Sequence, residues 1–341
     1  MRAARVFPAF LLPAFLLLTL PALAATAPSA AHPPTYKKDL GPFLVVADLL
    51  NWQDTARNRP VPVKIYSPAT GKGPFPVIVF SHGLGGAREG YEYLGRQWAS
   101  QGYVAVHVEH LGSDATVLKK GGRILKEMRE AAEDPGNALA RPLDVRFVLN
   151  QLEQVNRGSS PLAHRLDLDH IGMAGHSFGA WTTLAVAGQA VGQGQGLADP
   201  RIKAAISMSA PAPRRRQNLD RVYSQIRIPV LHMTGTRDDS PLGETSAAER
   251  RLPFDHIHGA DQYLVTFEGG DHMVFSGRRL QGEAGAERAE QDARFHSLIL
   301  QGTTAFWDAY LKGNAEAKAW LVQGGYAAVL GKDGKLEEKV R

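Results

Sequence analysis

Residues 175–179 read GHSFG, placing a serine, Ser177, between two glycines at G-x-S-x-G spacing. The string follows a short apolar run, HIGMA at 170–174, and precedes a second, AWTTLAVA. A strand, a sharp turn and a helix in that order would lift the Ser177 hydroxyl above a sheet edge as a nucleophile. Gly175 and Gly179 remove the Cβ atoms that would collide where strand and helix pack closely. A neutral hydroxyl needs a general base, and the base needs a third group to hold it. In this layout both follow in the order Ser, acid, His. The run 228–234 ends in GTRDDS, which offers Asp238 as the acid, with Asp239 the runner-up one residue on. The run 262–267 is followed by GGDH, whose two glycines allow the chain to swing His272 back over the strand ends. The chemistry expected is acyl transfer through a covalent intermediate, with catalytic Ser177, Asp238 and His272.

Acyl transfer also needs hydrogen-bond donors for a tetrahedral oxygen. The backbone N–H of Phe178, next to the nucleophile, is one candidate. The loop SHGLGG (81–86) follows an apolar run at 75–80 and offers the Leu84 N–H as the other; His82 is read as shaping that loop. The remaining histidines carry weaker signals. His256 and His258 form an H-x-H pair near Asp255 and Asp261, a composition that could bind a metal but is read as a surface loop. His107, Glu109 and His110 do not share one strand face and imply no ligand set. His296 falls within a helical pattern and is read as capping a solvated face.

The elements that must position these residues alternate. Apolar runs at 61–66, 75–80, 103–108, 170–174, 203–209, 228–234 and 262–267 read as strands. Helical spacing appears at 89–101, 142–154, 178–188 and 291–311, with Pro142 at a helix start and a small helix at 123–132. Continuous apolar strands alternating with helices predict an α/β fold with a mostly parallel sheet covered on both faces. The connection 210–228 is too short for a large cap domain, so an open site is expected, covered at most by loops 111–141 and 210–228.

The chain has 341 residues, a formal net charge of +5 and no cysteine. Disulfides, thiolate metal sites and a Cys nucleophile are thereby excluded. The mild charge argues against nucleic acid, and Arg214-Arg215-Arg216 lacks interleaved aromatics and reads as a solvated loop. At the N-terminus, Arg2 and Arg5 precede an apolar stretch over 6–20, Pro21 and an A-x-A site at 22–24. This is the layout of a Sec-type signal peptide, with no twin-arginine pair. The expected organisation is a signal peptide over 1–24, a Pro-containing linker over 25–40 and one catalytic domain over 41–341. Export to the periplasm or outside the cell, without stable membrane insertion after cleavage, follows.

These motifs resemble the α/β-hydrolase superfamily. Within it, SHGLGG (81–86), VEH (108–110) and GHSFG (175–179) are similar to bacterial predicted dienelactone hydrolases and to plasma-type platelet-activating-factor acetylhydrolases. The resemblance covers roughly residues 55–312 and implies an eight-stranded sheet, a Ser-His-Asp triad and no cofactor or metal. Two departures stand out. Dienelactone hydrolases use a Cys nucleophile, where this chain has Ser177. The plasma-type acetylhydrolases place the acid after the strand that follows the elbow, where this chain has Ser209-Ala210-Pro211. The expected function is a serine hydrolase of small or lipid-like carboxylic esters. Acyltransferase, amidase or peptidase chemistry on the same triad, and an inactive binding protein, are the alternatives.

Overall fold

In a computed structural model, residues 35–119, 123–192, 196–277 and 284–341 are described, together with Met1 and Ala4. The expected signal peptide, those two positions apart, and residues 25–34 of the expected linker lie outside them. Nine strands form one sheet: β1 (Val45–Asp54), β2 (Arg59–Pro68), β3 (Phe75–Ser81), β4 (Val104–Val108), β5 (Leu166–His176), β6 (Ile202–Met208), β7 (Val230–Arg237), β8 (Gln262–Asp271) and β9 (Gly334–Lys339). Their order is β1-β2-β4-β3-β5-β6-β7-β8-β9. The strands from β4 through β3 to β8 are parallel, while β1–β2, β2–β4 and β8–β9 pair antiparallel. The helices are α1 (Glu92–Ser100), α2 (Ile124–Glu133), α3 (Pro135–Arg157), α4 (Phe178–Ala187), α5 (Leu219–Tyr223), α6 (Leu252–His256), α7 (Ala284–Leu311), α8 (Ala315–Val322) and α9 (Gly325–Leu330).

The central stretches of the parallel strands are mostly apolar and buried because both their faces are covered. In β3, Val77 and Val79 join one core with Val145, Val148 and Leu149 of α3. Ile78 and Phe80 point the other way, into a core with Leu94 and Trp98 of α1 and Phe306 and Trp307 of α7. Each such side chain contributes about 1.5–3 kcal/mol by leaving water. The fold is that of an α/β-hydrolase.

Three expectations need correction. The sheet has nine strands rather than eight. The two not read from sequence, β1 and β9, are its edges; β9 reads GKLEEK, with Leu336 its one apolar side chain apart from glycine, so it carries no apolar run. Pro142 does not start a helix. It lies inside α3, which begins about two turns earlier at Pro135, where the Asp134 carboxylate accepts the Gly136 N–H at 2.7 Å. Finally, residues 36–39 are fastened to the body instead of forming linker. The Tyr36 hydroxyl donates to Asp308 at 2.8 Å, and Gln97 donates to the carbonyls of Lys37 and Asp39.

Candidate active site

Strand β5 runs into α4 with Ser177 at the turn, at φ 56° and ψ −119°. L-residues rarely adopt this backbone, and such strain persists only where the surroundings impose it. Here the two glycines impose it. A methyl on Gly175 would overlap the Gly179 carbonyl, and one on Gly179 would overlap the Ser81 carbonyl of β3. The tight crossing leaves the Ser177 side chain projecting from the carboxyl edge of the sheet.

Asp238 follows β7 and His272 follows β8 on that same edge. His272 Nε2 lies 2.9 Å from Ser177 Oγ, and His272 Nδ1 lies 2.7 Å from Asp238 Oδ1. Asp238 is fully buried. Its second oxygen accepts from the Ser209 and Thr234 hydroxyls at 2.6 and 2.7 Å. Burial alone would push the Asp238 carboxyl up. The hydrogen bond with His272, the charges of Arg250 and His272 and the Ser209 hydroxyl outweigh it and hold the group below the usual carboxylate range. Ser209 directly follows β6, the position at which the resemblance to plasma-type acetylhydrolases would expect an acid, and here its hydroxyl donates to Asp238 after the next strand. Asp239 is exposed, points elsewhere and accepts the Ala247 N–H at 2.9 Å.

The loop after β3 lies beside Ser177. His82 is buried and kept neutral by that burial. Its Nε2 accepts the His110 N–H at 3.0 Å, so its Nδ1–H donates, to the Gly83 carbonyl at 2.6 Å. The Gly86 N–H reaches the same carbonyl at 3.0 Å. A peptide carbonyl and the following N–H point in opposite directions, so fixing the Gly83 carbonyl also fixes where the Leu84 N–H points. Among the described residues, neither the Leu84 N–H nor the Phe178 N–H has a hydrogen-bond partner.

Several site residues carried no motif. His176 Nε2–H donates to the His272 carbonyl at 2.8 Å, which leaves its Nδ1 to accept from the Tyr91 hydroxyl at 2.8 Å. The Tyr91 oxygen in turn accepts the Gly83 N–H at 3.4 Å. One chain of bonds thus ties the loop after β3, the elbow and the loop carrying His272. Arg250 is buried; it donates to the carbonyls of Asp238 and Ser209 at 3.0 and 2.9 Å and lies 3.4 Å from Asp238 Oδ1. Arg141 is buried beneath the elbow. Its spacing from Val145 and Val148 places it on the apolar face of α3, a signal readable in the sequence.

The other histidines resolve differently. His296 does not cap a solvated face. It is half-buried, stacks on Tyr93 with ring centroids 4.5 Å apart and contacts the Val274 carbonyl at 2.8 Å, because α7 packs against the loop after β8. His256 and His258 both approach Asp220, at 2.7 and 3.2 Å, rather than Asp255 or Asp261. Asp255 is engaged by Arg251, and Asp261 by Tyr310 and Lys318. Among the described residues no group of three or more such side chains is arranged to hold a metal. His110 is buried between Ser81, at 2.8 Å, and Asp144, at 3.0 Å. His107 is buried against the Gly90 carbonyl, and Glu109 accepts the Arg88 N–H.

A cavity of about 880 Å³ opens onto Ser177. Leu118, Met128, Trp181, Leu242 and Met273 give it apolar walls, with Arg214 and Arg216 at its rim. Loops 111–141 and 210–228 contribute, as expected; residues 240–245 form a third wall that was not. The exposed Arg214–Arg216 run is solvated, and Arg216 pairs with Glu249 at 2.9 Å.

Comparison with known proteins places similarity over two stretches of the chain. Residues 40–120 match the family model "Platelet-activating factor acetylhydrolase, isoform II", and residues 164–302 match "Serine hydrolase (FSH1)". The first stretch contains the Leu84 loop and the second contains Ser177, Asp238 and His272. The chain is related to the serine-type α/β-hydrolases. Among curated proteins it is 26% identical over 233 residues to a platelet-activating factor acetylhydrolase of Bos taurus, covering 59% of this chain and 48% of that one. The acetylhydrolase of Canis lupus familiaris is 26% identical over 243 residues, covering 59% and 48%. That of Cavia porcellus is 29% identical over 150 residues, covering 36% and 34%. The chain spans about half the length of the first two of these curated relatives.

Proposed function

We propose that this protein hydrolyses carboxylic esters through a Ser177-His272-Asp238 triad and an acyl-enzyme intermediate. The observation that carries the reading is the unbroken line from Ser177 Oγ to His272 Nε2, at 2.9 Å, and from His272 Nδ1 to Asp238 Oδ1, at 2.7 Å. His272 Nε2 takes the Ser177 proton as Oγ attacks the ester carbonyl, and returns it to the leaving alcohol. Water then repeats the sequence on the acyl-enzyme. Asp238, held ionised, keeps the proton on Nδ1 and stabilises the imidazolium. The unpartnered N–H groups of Leu84 and Phe178 bind the tetrahedral oxyanion. The N-terminal end of α4 adds favourable charge there.

The apolar cavity walls suit the acyl or alkyl chain of a small or lipid-like ester, in keeping with the acetylhydrolase relatives. Among the described residues no helix is long and apolar enough to cross a membrane. Export by the signal peptide read at 1–24 is part of this proposal. The test is a series of nitrophenyl esters of increasing acyl length, with Ser177→Ala as the blank. Turnover of one or more esters, absent from the variant, is the expected result. Equal turnover by the variant, or none by either protein, overturns the reading.

A further inference from the structure

We propose that Arg141 is a positioning residue that sets the spacing of the two oxyanion donors; this rests on reading Leu84 and Phe178 as those donors. Its guanidinium is fully buried in α3 and reaches both halves of the hole. Toward the loop after β3, Nη2 donates to the His82 carbonyl, one peptide before the one that fixes Leu84. Toward α4, Nε donates to Thr182 Oγ1 at 2.9 Å, and the Thr182 hydroxyl donates on to the Phe178 carbonyl at 2.9 Å. The guanidinium carbon lies over the Phe178 ring, 4.5 Å from its centroid. Nη1 donates to Ser113 Oγ at 2.8 Å, and the Ser113 carbonyl accepts the Gly85 N–H at 2.9 Å. A planar fork with fixed donor directions thus ties the Leu84 loop directly, again through Ser113, and to the first turn of α4.

Charge pairing does not account for this placement. Asp144, the nearest carboxylate on α3, is engaged by Arg57 and Arg59 at 2.8 and 2.9 Å and by His110 at 3.0 Å. Burial pushes the Arg141 pKa down to about 9, so it remains a cation at neutral pH. Taking a guanidinium out of water is costly unless every donor finds an acceptor. All the acceptors it finds are neutral oxygens that shape the candidate oxyanion hole. Removing one such donor costs an enzyme about 10²–10³-fold in kcat, so misplacing two has similar reach.

The experiment compares wild type with Arg141→Met and Arg141→Lys, and with Ser113→Ala and Thr182→Val, which release one end of the fork each. Active sites are counted with a fluorophosphonate. Per active site, kcat and KM for a nitrophenyl ester are measured beside the affinity for a trifluoromethyl ketone, which forms a tetrahedral adduct. Arg141→Met is expected to lower kcat by about 10–10³-fold and to weaken the ketone in parallel, with KM changed less than about threefold. The two single-end variants are expected to show the same pattern at about 3–10-fold, which preserves the test if Arg141→Met does not fold. A folded variant with lower thermal stability but wild-type kcat and ketone affinity per site overturns the proposal, as does a wild-type pattern in both single-end variants. If wild type itself takes neither fluorophosphonate nor ketone, the esterase reading fails instead.

Discussion

Lowering the pH from 7 to 5 is predicted to unfold this protein, because five of its histidines are buried and neutral. Burial is the main cause in each case. It pushes His107, His110 and His232 down to about 4, and His82 and His176 well below the ordinary histidine value. In the unfolded chain each titrates near 6.5. Above that value neither state binds a proton, so stability does not depend on these groups. Below it the unfolded chain takes up protons that the folded chain refuses, and stability falls with pH. A histidine shifted from about 6.5 to about 4 costs roughly 2 kcal/mol at pH 5, so His107, His110 and His232 together cost roughly 6 kcal/mol. His82 and His176 act in the same direction, and the loss from the other three alone is already comparable with the whole stability of a typical domain. The depressed carboxyls of Asp144, Asp238 and Asp308 act in the same direction at lower pH, since their contribution is lost only as pH falls through their folded values. Urea unfolding followed by tryptophan fluorescence at pH 5, 5.5, 6, 7 and 8 measures the effect. Stability should be nearly flat from 8 to 7 and then fall steeply, and His232→Gln should reduce the slope by about one proton. A change of less than about 1 kcal/mol between pH 7 and 5 would refute the reasoning.

Other outcomes follow from the same geometry. Asp238→Asn should lower kcat by up to about 10⁴-fold, whereas Asp239→Asn should leave it near wild type; the reverse order in steady-state kinetics would assign the acid to the wrong residue. Gly179→Ala should cost about 3 kcal/mol or more, because its methyl meets the Ser81 carbonyl and backbone cannot step aside as a side chain can; an unchanged urea midpoint would count against the tight crossing at the elbow. Met128→Trp narrows the cavity and should lower kcat/KM for an octanoyl ester relative to an acetyl ester by about tenfold, read as a ratio to cancel changes in folding.

Much of the fold was legible because the strands β2 to β8 each contain an apolar run, which in the parallel ones burial on both faces demands. The edges were not. Strand β9 is held by its pairing with β8 and by little apolar burial of its own, so GKLEEK reads as any exposed segment. The start of α3 is marked by Asp134-Pro135, a cap followed by proline, a stronger signal than Pro142. Ser177, Asp238 and His272 stand out in sequence because each directly follows a strand, with glycines beside the first and third. Tyr91 and Arg250 do not stand out. Their roles depend on partners as distant in sequence as His176 and Ser209; Tyr91 shares the helical spacing of Leu94 and Trp98, which marks it as core without showing what it holds, and Arg250 sits in no such pattern. Arg141 is intermediate: its place on an apolar helix face marks it as buried, but only the folded chain shows what it holds.

The central claim is that Ser177 is a nucleophile activated by His272. Its most direct test is covalent labelling. Intact protein is treated with a fluorophosphonate at neutral pH, and the adduct is located by peptide mass spectrometry in wild type, Ser177→Ala and His272→Ala. One adduct on Ser177 in wild type, none in Ser177→Ala and a labelling rate slowed by orders of magnitude in His272→Ala is the result predicted. An adduct on another residue, or equally rapid labelling of all three proteins, would contradict it.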